Sequence, residues 1–423
     1  MTDNPLAMGR KNAFADRYGT VFGRQQGLML KMAGLASSES SASGAWIEDS
    51  AGNRWLDFGS FGVHLLGHAH PQVVHALTAQ AARMGLSSKI LANEPIVSAA
   101  ERLLALGGAP LDNLIFANTG SEAVEAALKL ARIATGRRRI LAFRHAYHGR
   151  TPGALSVSHG YERHGALLTD GQSSFVEVGD LAAVEAALAS GTYAAAIIEP
   201  VQGEGGIRPV DPAFLQALRA LTRAHGTRLA LDEIQTGLGR TGELVCPVSP
   251  DVRLLGKVLG GGMFPVAAAL FDTAQFGAAA RDPVVHASSF AGSPLAGAVV
   301  NAVIDVVNEA SFAPRIARLG ARCREALAAR IGAHPGVAAI RGQGFMIGVE
   351  FKDTGDAGQM IIEAAKRKLL VAFCLTAPNV VRVYPPAVID EATLVDGIER
   401  FCDSVAALPV RHSPPQKEPL ANA

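Results

Sequence analysis

Two patterns make this an α/β chain, with a large domain built on a mostly parallel sheet between helices and a smaller α+β domain beside it. Through the middle of the sequence, short and nearly continuous apolar runs alternate with stretches of helical period, the arrangement of strands covered on both faces. Toward the C-terminus the order changes to helix, then strands, then a last helix. The divisions expected are 1–60 and 315–423 for the smaller domain, around a large domain over 61–314.

Taken in order, residues 1–44 read as irregular, and Leu35–Gly44 (LASSESSASG) as an exposed linker. Trp46–Phe58 reads as a β-hairpin turning at Ser50-Ala51-Gly52-Asn53. Leu111–Ala117 is an apolar run closed by Asn118-Thr119-Gly120. Ser121–Ala134 is then helical, with Ala123, Ala127, Leu128 and Ala131 on one side. Arg139–Phe143, Tyr193–Ile198, Arg228–Leu231 and Val252–Leu255 read as strands, with helices at Leu181–Ala189 and Pro212–Ala224 between them. A long helix begins near Leu295, another covers Ala313–Ile331, strands follow at Val337–Glu350 and Val380–Val383, and Glu391–Leu408 is helical. The Pro-rich tail after Val410 is expected to fray.

Composition excludes several classes. The chain has 423 residues, 49 % hydrophobic and 18 % charged, too apolar for disorder. Lys+Arg is 39 against Asp+Glu 38, so the net charge of +1 leaves no footprint for nucleic acid or an anionic membrane. No run of about 18 apolar residues occurs, and the first residues lack the apolar region of a signal peptide. Four scattered cysteines suit a reducing compartment, and the expectation is a cytoplasmic protein.

In open parallel sheets, ligands bind beyond the carboxyl ends of the strands. The residues that follow the apolar runs are therefore the candidates: Asn118-Thr119-Gly120-Ser121, then Tyr147-His148-Gly149-Arg150, Glu199, Asp232 and Lys257. Gly120 and Ser121 open a helix, whose free N–H groups and dipole favour a phosphate, although an ordinary N-cap reads the same way. Lys257 is one of nine lysines, and the one set in an apolar, Gly-rich segment. Desolvation there lowers its pKa, and a neutral amine condenses with a carbonyl; the bland alternative is a snorkelling side chain. Asp232 ends a strand and needs a cation, either a pyridinium nitrogen or a nearby arginine. Tyr147 can stack on a planar ring or belong to the core. His64, His68 and His70 have metal-like spacing but no accompanying ligand in the sequence, and no metal is expected. Together these groups describe a pyridoxal 5'-phosphate site.

The motifs Asn118–Arg132 (NTGSEAVEAALKLAR), Tyr147–Thr151 (YHGRT), Glu199–Gly206 (EPVQGEGG), Leu231–Gly242 (LDEIQTGLGRTG), Gly256–Gly262 (GKVLGGG), Ser288–Ala296 (SSFAGSPLA) and Val381–Pro386 (VRVYPP) go further. In type and order they resemble the class III aminotransferases, a pyridoxal-phosphate family of fold type I, from about Trp46 to Leu408. The ornithine, acetylornithine and putrescine aminotransferases are the similar branches, and Lys368–Pro386 looks most like the putrescine branch. The resemblance implies that Lys257 forms the Schiff base and shuttles the proton, that Asp232 pairs with the pyridine nitrogen, and that Gln235 bonds the ring hydroxyl. It implies that Gly120 and Ser121 hold the phosphate, that Tyr147 stacks on the ring beside His148, and that Ser289 reaches the phosphate of a neighbouring subunit, hence a homodimer. Arg382 matches the arginine that grips a substrate carboxylate, Glu204 the carboxylate that masks it, and Arg150 a contact to a second carboxylate.

Two departures stand out. Gly292-Ser293-Pro294 replaces the family's GNP turn. Phe61–His68 (FGVHLLGH) replaces a smaller lining, so that His64, with Leu65 and Leu66, is expected to face substrate and tune the pocket away from acetylornithine. The lengthened Gly27–Gly44 stretch can border the substrate entrance. The activity implied is transfer of an amino group from a primary, terminal amine to a keto acid such as 2-oxoglutarate in two ping-pong half-reactions. The alternative of another class is an amino-acid racemase or aminomutase of the same family, which needs no keto acid.

Overall fold

The structure, a computed structural model, describes residues 5–161, 172–277 and 286–409, with side chains from Ala13 onward. The tail expected to fray lies outside the described residues.

The first surprise is at the start of the chain, where an irregular segment was expected. Helices α1 (Pro5–Phe22) and α2 (Arg24–Met32) form a hairpin instead. Small residues allow it: a Cβ on Gly27 would stand 2.5 Å from the Ala15 carbonyl oxygen, so only glycine lets the two backbones meet. The expected linker is also ordered in part, as strand β1 (Glu39–Ser43), paired with β2 (Trp46–Asp49) through Ala42↔Ile47. Its residues are mostly exposed, so no apolar alternation marks it; an edge strand takes its order from its neighbour's ladder. β2 and β3 (Arg54–Asp57) form the expected hairpin. Asp49 holds its turn, accepting from the Ala51 and Asn53 N–H groups at 2.9 Å and from Trp55 Nε1 at 3.0 Å.

Helices α3 (Pro71–Arg83) and α4 (Glu94–Gly107) follow, and then the alternation begins. It runs β4 (Asn113–Ala117), α5 (Gly120–Thr135), β5 (Arg139–Phe143), α6 (Pro152–Ser156), β6 (Ser173–Val176), α7 (Leu181–Leu188) and β7 (Tyr193–Ile198). After a small ribbon of β8 (Val201–Gln202) and β9 (Arg208–Pro209) come α8 (Pro212–Ala224), β10 (Arg228–Asp232), β11 (Val252–Leu255), β12 (Ala267–Phe271) and α9 (Thr273–Phe276). These build a seven-stranded sheet in the order β4-β12-β11-β10-β7-β5-β6. β12 runs antiparallel to both neighbours; the other pairings are parallel. Period-two alternation explains the continuous apolar runs. Ala195 and Ile197 of β7 face α5, through Ala123, Ala127 and Ala131, while Ala196 and Ile198 face Val184 and Leu188 of α7 and Leu215 and Leu218 of α8.

The remainder is α10 (Pro294–Val307), capped by Ser293 of the altered turn, whose hydroxyl accepts from the Ala296 N–H at 3.2 Å. It continues with α11 (Phe312–Ile331), β13 (Val337–Gln343), β14 (Met346–Phe351), α12 (Thr354–Lys366), β15 (Leu369–Leu370), β16 (Ala372–Phe373), β17 (Val380–Val383) and α13 (Glu391–Ala406). β15 pairs parallel with β3, Leu369 on Leu56, which joins the two ends of the chain in one sheet. One apolar cluster runs through Leu56, Phe58, Leu259, Val299, Ile347 and Phe401, so the larger and smaller parts share a core. No single helix among the described residues is long and apolar enough to cross a membrane.

Candidate active site

The parallel strands bring their carboxyl ends to one edge of the sheet. There Thr119, Gly120, Ser121, Tyr147, His148, Gly149, Glu199, Glu204, Asp232, Ile234, Gln235 and Lys257 enclose a cavity of about 210 Å³.

One wall is the start of α5. Thr119 is its N-cap, accepting from the Glu122 N–H at 3.2 Å, while Glu122 Oε2 accepts from the Asn118 N–H at 2.7 Å. Ser121 is not the cap, and its hydroxyl receives the Arg150 N–H at 3.1 Å. Gly149 makes that approach possible. Its φ is +133°, and a Cβ there would lie 2.2 Å from Ser121 Oγ.

Opposite chemistry gathers at the ends of β7 and β10. Asp232 Oδ2 lies 2.6 Å from His148 Nδ1, and its Oδ1 accepts from the Ile234 N–H at 3.1 Å. An ionised carboxylate only accepts, so Nδ1 carries the proton, and Asp232 keeps lone pairs for a further donor. Burial pulls the His148 pKa down, but the Asp232 carboxylate outweighs it and the net shift is upward. His148 Nε2 is buried with no partner. Among the described residues no arginine pairs with Asp232, and the nearby Arg253 pairs with the adjacent Glu233. Glu199 is buried, accepts from the Tyr147 N–H at 2.9 Å and the Gly203 N–H at 3.0 Å, and is pushed by burial up to about 7.

Lys257 follows β11 and is partly exposed to the cavity it lines. Its φ of +45° is rare for a residue with a Cβ and marks a position held by its surroundings. Desolvation lowers its pKa, opposed by the charge of Glu204.

A second ionic pair stands beside it. Arg382, on β17 and fully buried, donates to Glu204 Oε1 at 2.8 Å and to the Phe373 carbonyl oxygen at 2.7 Å, with its Nε left unpartnered. Glu204 Oε1 also accepts from Gln235 Nε2 at 3.2 Å, and Oε2 from the Leu375 N–H at 2.9 Å. Burial would raise the Glu204 pKa; the Arg382 charge wins and holds it below the usual range.

Lys257, Asp232, Gly120, Ser121, Tyr147, His148, Gln235 and Glu204 thus share one cavity, with Arg382 directly behind Glu204. Three expected residues stand apart. Arg150 is exposed at the rim, its guanidinium beside the Tyr147 and Tyr161 hydroxyls. Ser289 is exposed and lines no part of this cavity. His64 is in a separate small cavity with Asp57, His68 and Arg240, its ring stacked on that of His68 at 3.9 Å. Burial lowers its pKa to about 4. Leu65 and Leu66 are buried in the main core, and none of the three lines the cavity that holds Lys257, although His64 was expected to face substrate there. The residue of that segment that does approach is Phe61, whose ring lies 4.8 Å from the Arg382 guanidinium. His68 also has a carboxylate partner that spacing did not reveal, Asp57 at 2.7 Å.

Sequence reasoning did not single out Ile234 or Tyr384. Ile234 packs on Gly120 and Gly256 from the turn that follows β10, where its N–H donates to Asp232, and the available signal was its place inside the motif Leu231–Gly242. Tyr384, just after β17 and inside the motif Val381–Pro386, bonds Gln235 far along the chain, and nothing in that stretch names its partner.

The residues fit pyridoxal phosphate on this structure's own terms. A glycine cradle meets a helix N-terminus, a buried carboxylate has acceptor capacity to spare, and a lysine of lowered pKa lies beside both.

Comparison with known proteins agrees. The family model described as Aminotransferase class-III matches residues 35–405. An acetylornithine aminotransferase of Methanosarcina acetivorans is 36 % identical over 95 % of this chain and 100 % of its own length. Ornithine aminotransferase 1 of Staphylococcus aureus is 35 % identical over 87 % of this chain and 94 % of its own. Among solved structures, the ornithine aminotransferase of Toxoplasma gondii, described with partial occupancy of PLP at its active site, superposes with a TM-score of 0.82 at 33 % identity, covering 88 % of this chain and 90 % of that one.

Proposed function

This chain belongs to the class III aminotransferases, pyridoxal-phosphate enzymes of fold type I, and from that membership we propose that it moves an amino group from a terminal amine, of the ornithine or N-acetylornithine kind, to a keto acid such as 2-oxoglutarate. The observation that carries this reading is the buried Glu204–Arg382 pair, at 2.8 Å, beside Lys257. It supplies two states from one set of residues. With the pair closed, Arg382 is masked and an amine end without a carboxylate is admitted. With the pair open, Arg382 offers a planar fork to a keto acid's carboxylate.

Pyridoxal phosphate, when bound, supplies the carbonyl that takes up the amino group and a ring that draws electrons from the donor's α-carbon. The N-terminus of α5, with Gly120 and Ser121, holds the phosphate. Tyr147 would cover the ring, with His148 beside it. Asp232 would keep the pyridine nitrogen protonated, with the His148 proton fixing the carboxylate's orientation for that task. Gln235 would take the ring hydroxyl. Lys257, favoured as a free amine by desolvation, takes the proton from the donor carbon and hands it on, a positioned transfer that contributes ~10²–10⁴-fold. Arg150 at the rim is placed for a second carboxylate.

A homodimer completes the site in this reading. Ile90 (89 % exposed), Leu91 (77 %) and Phe290 (62 %) form an apolar patch, tied together where Lys89 donates to the Ala291 carbonyl oxygen. Ser288 in that patch receives Asn118 Nδ2 at 3.0 Å, at the edge of the phosphate cradle, so a second copy seated there meets the cradle with its Ser289. Four free, buried cysteines suit a reducing, cytoplasmic setting. The racemase or aminomutase alternative draws no support from the relatives named above, all of them aminotransferases.

A panel of amines tests the substrate class. Terminal amines should bleach the yellow enzyme, 2-oxoglutarate should restore its colour, and Lys257→Ala should do neither. Turnover of an amino acid without any keto acid would reverse the reading in favour of a racemase.

A further inference from the structure

Behind Gln235 lies Tyr384, buried, outside the cavity and without a place in the account above. Its hydroxyl meets Gln235 Oε1 at 2.9 Å, while Gln235 Nε2 meets Glu204 Oε1 at 3.2 Å. These two contacts settle each other. Glu204 is ionised and can only accept, so the amide must turn its NH₂ toward Glu204 and its oxygen toward Tyr384. The phenol is then the donor. Burial raises its pKa well above the ordinary value, which keeps the proton in place. The ring cannot drift. Its backbone N–H donates to the Phe58 carbonyl oxygen at 2.9 Å, and the guanidinium groups of Arg240 and Arg382 lie 5.3 and 5.8 Å from its centroid. Gly203 closes the other side: a Cβ there would stand 1.8 Å from Gln235 Oε1.

We propose that Tyr384 is a positioning residue that locks the Gln235 amide, and through it sets how readily Glu204 releases Arg382 to a keto acid. This rests on the reading that Gln235 faces the coenzyme and that Glu204–Arg382 is the carboxylate clamp. When Arg382 turns to a substrate, the Glu204 charge is left with two donors, Gln235 Nε2 and the Leu375 N–H. A Gln235 anchored by Tyr384 keeps the first of them in place. Without that anchor the freed carboxylate is less well satisfied, and the closed pair is favoured.

Tyr384→Phe in the holoenzyme removes the hydroxyl and leaves the ring. The expected result is a loss of about 3- to 10-fold in apparent keto-acid affinity in the second half-reaction, with the amine half-reaction within about twofold of wild type. The midpoint of the coenzyme's absorbance titration should also move, by a few tenths to about one pH unit. Equal losses in both half-reactions, or a lowered melting temperature with an unmoved titration, would overturn the proposal by making Tyr384 merely structural. Gln235→Ala separates this from failure of the site reading. If it moves the titration while Tyr384→Phe does not, Gln235 keeps its place at the coenzyme and the role of Tyr384 falls. If neither variant moves it, the placement of Gln235 falls, and this inference with it.

Discussion

Each charged residue of this site is set by its neighbours rather than by its type. Asp232 and Glu233 are adjacent carboxylates at the end of β10, yet one takes an imidazole and the other a guanidinium, because successive side chains of an extended strand point to opposite faces. Glu204 and Glu199 differ as sharply. The first is held ionised by Arg382, while the second, buried and bonded by backbone N–H groups beside the His148–Asp232 pair, is pushed by burial up to about 7. For Arg382 this yields a direct expectation. Arg382→Lys keeps the charge but removes the fork, so keto-acid affinity should fall roughly tenfold or more while amine binding changes little. Rapid-mixing measurement of the two half-reactions separately checks it, and equal losses would count against a carboxylate clamp. At this scale the motifs named Lys257 and Asp232, and the fold brings both to the wall of one cavity. His64 lines a different cavity from Lys257, in the turn that buries Leu65 and Leu66.

Helices and strands fix the distances between these residues, and their junctions are held by ionic groups outside the site. Asp251, just before β11, accepts from both terminal nitrogens of Arg219 on α8, at 2.6 and 2.8 Å, and from the Leu229 N–H of β10 at 2.7 Å. All three lie in the interior. Asp251→Ala leaves a buried guanidinium uncompensated and a strand N–H without its acceptor, and should cost about 3–5 kcal/mol in chemical denaturation. A cost below about 1 kcal/mol would show that water reaches Arg219. Most elements could be located from the sequence, because strands covered on both faces have an unmistakable composition: Arg139–Phe143, Tyr193–Ile198 and Val252–Leu255 have the expected bounds. Several elements escaped, among them α3, α4 and the wholly buried β12, and some of them lack that signal. β1 is an exposed edge strand of polar residues, and α1 and α2 depend on a glycine contact between backbones rather than on an apolar stripe.

At the scale of the whole molecule, the patch around Ile90, Leu91 and Phe290 leaves three large apolar side chains in solvent. If a second copy covers it, Ile90→Asp with Leu91→Asp should shift the particle mass toward that of one chain in sedimentation, and coenzyme retention should fall with it. An unchanged mass would place the subunit contact elsewhere. The order of motifs along the chain was enough to determine the α/β class and the coenzyme, because those depend on local chemistry repeated at strand ends. What only tertiary structure decided are the contacts between residues far apart in sequence: His148 on Asp232, Arg382 on Glu204, Tyr384 on Gln235, and His64 behind the cavity rather than in it. A side chain's partner is chosen by the packing that closes around it, and that packing has no signature in any one stretch of chain.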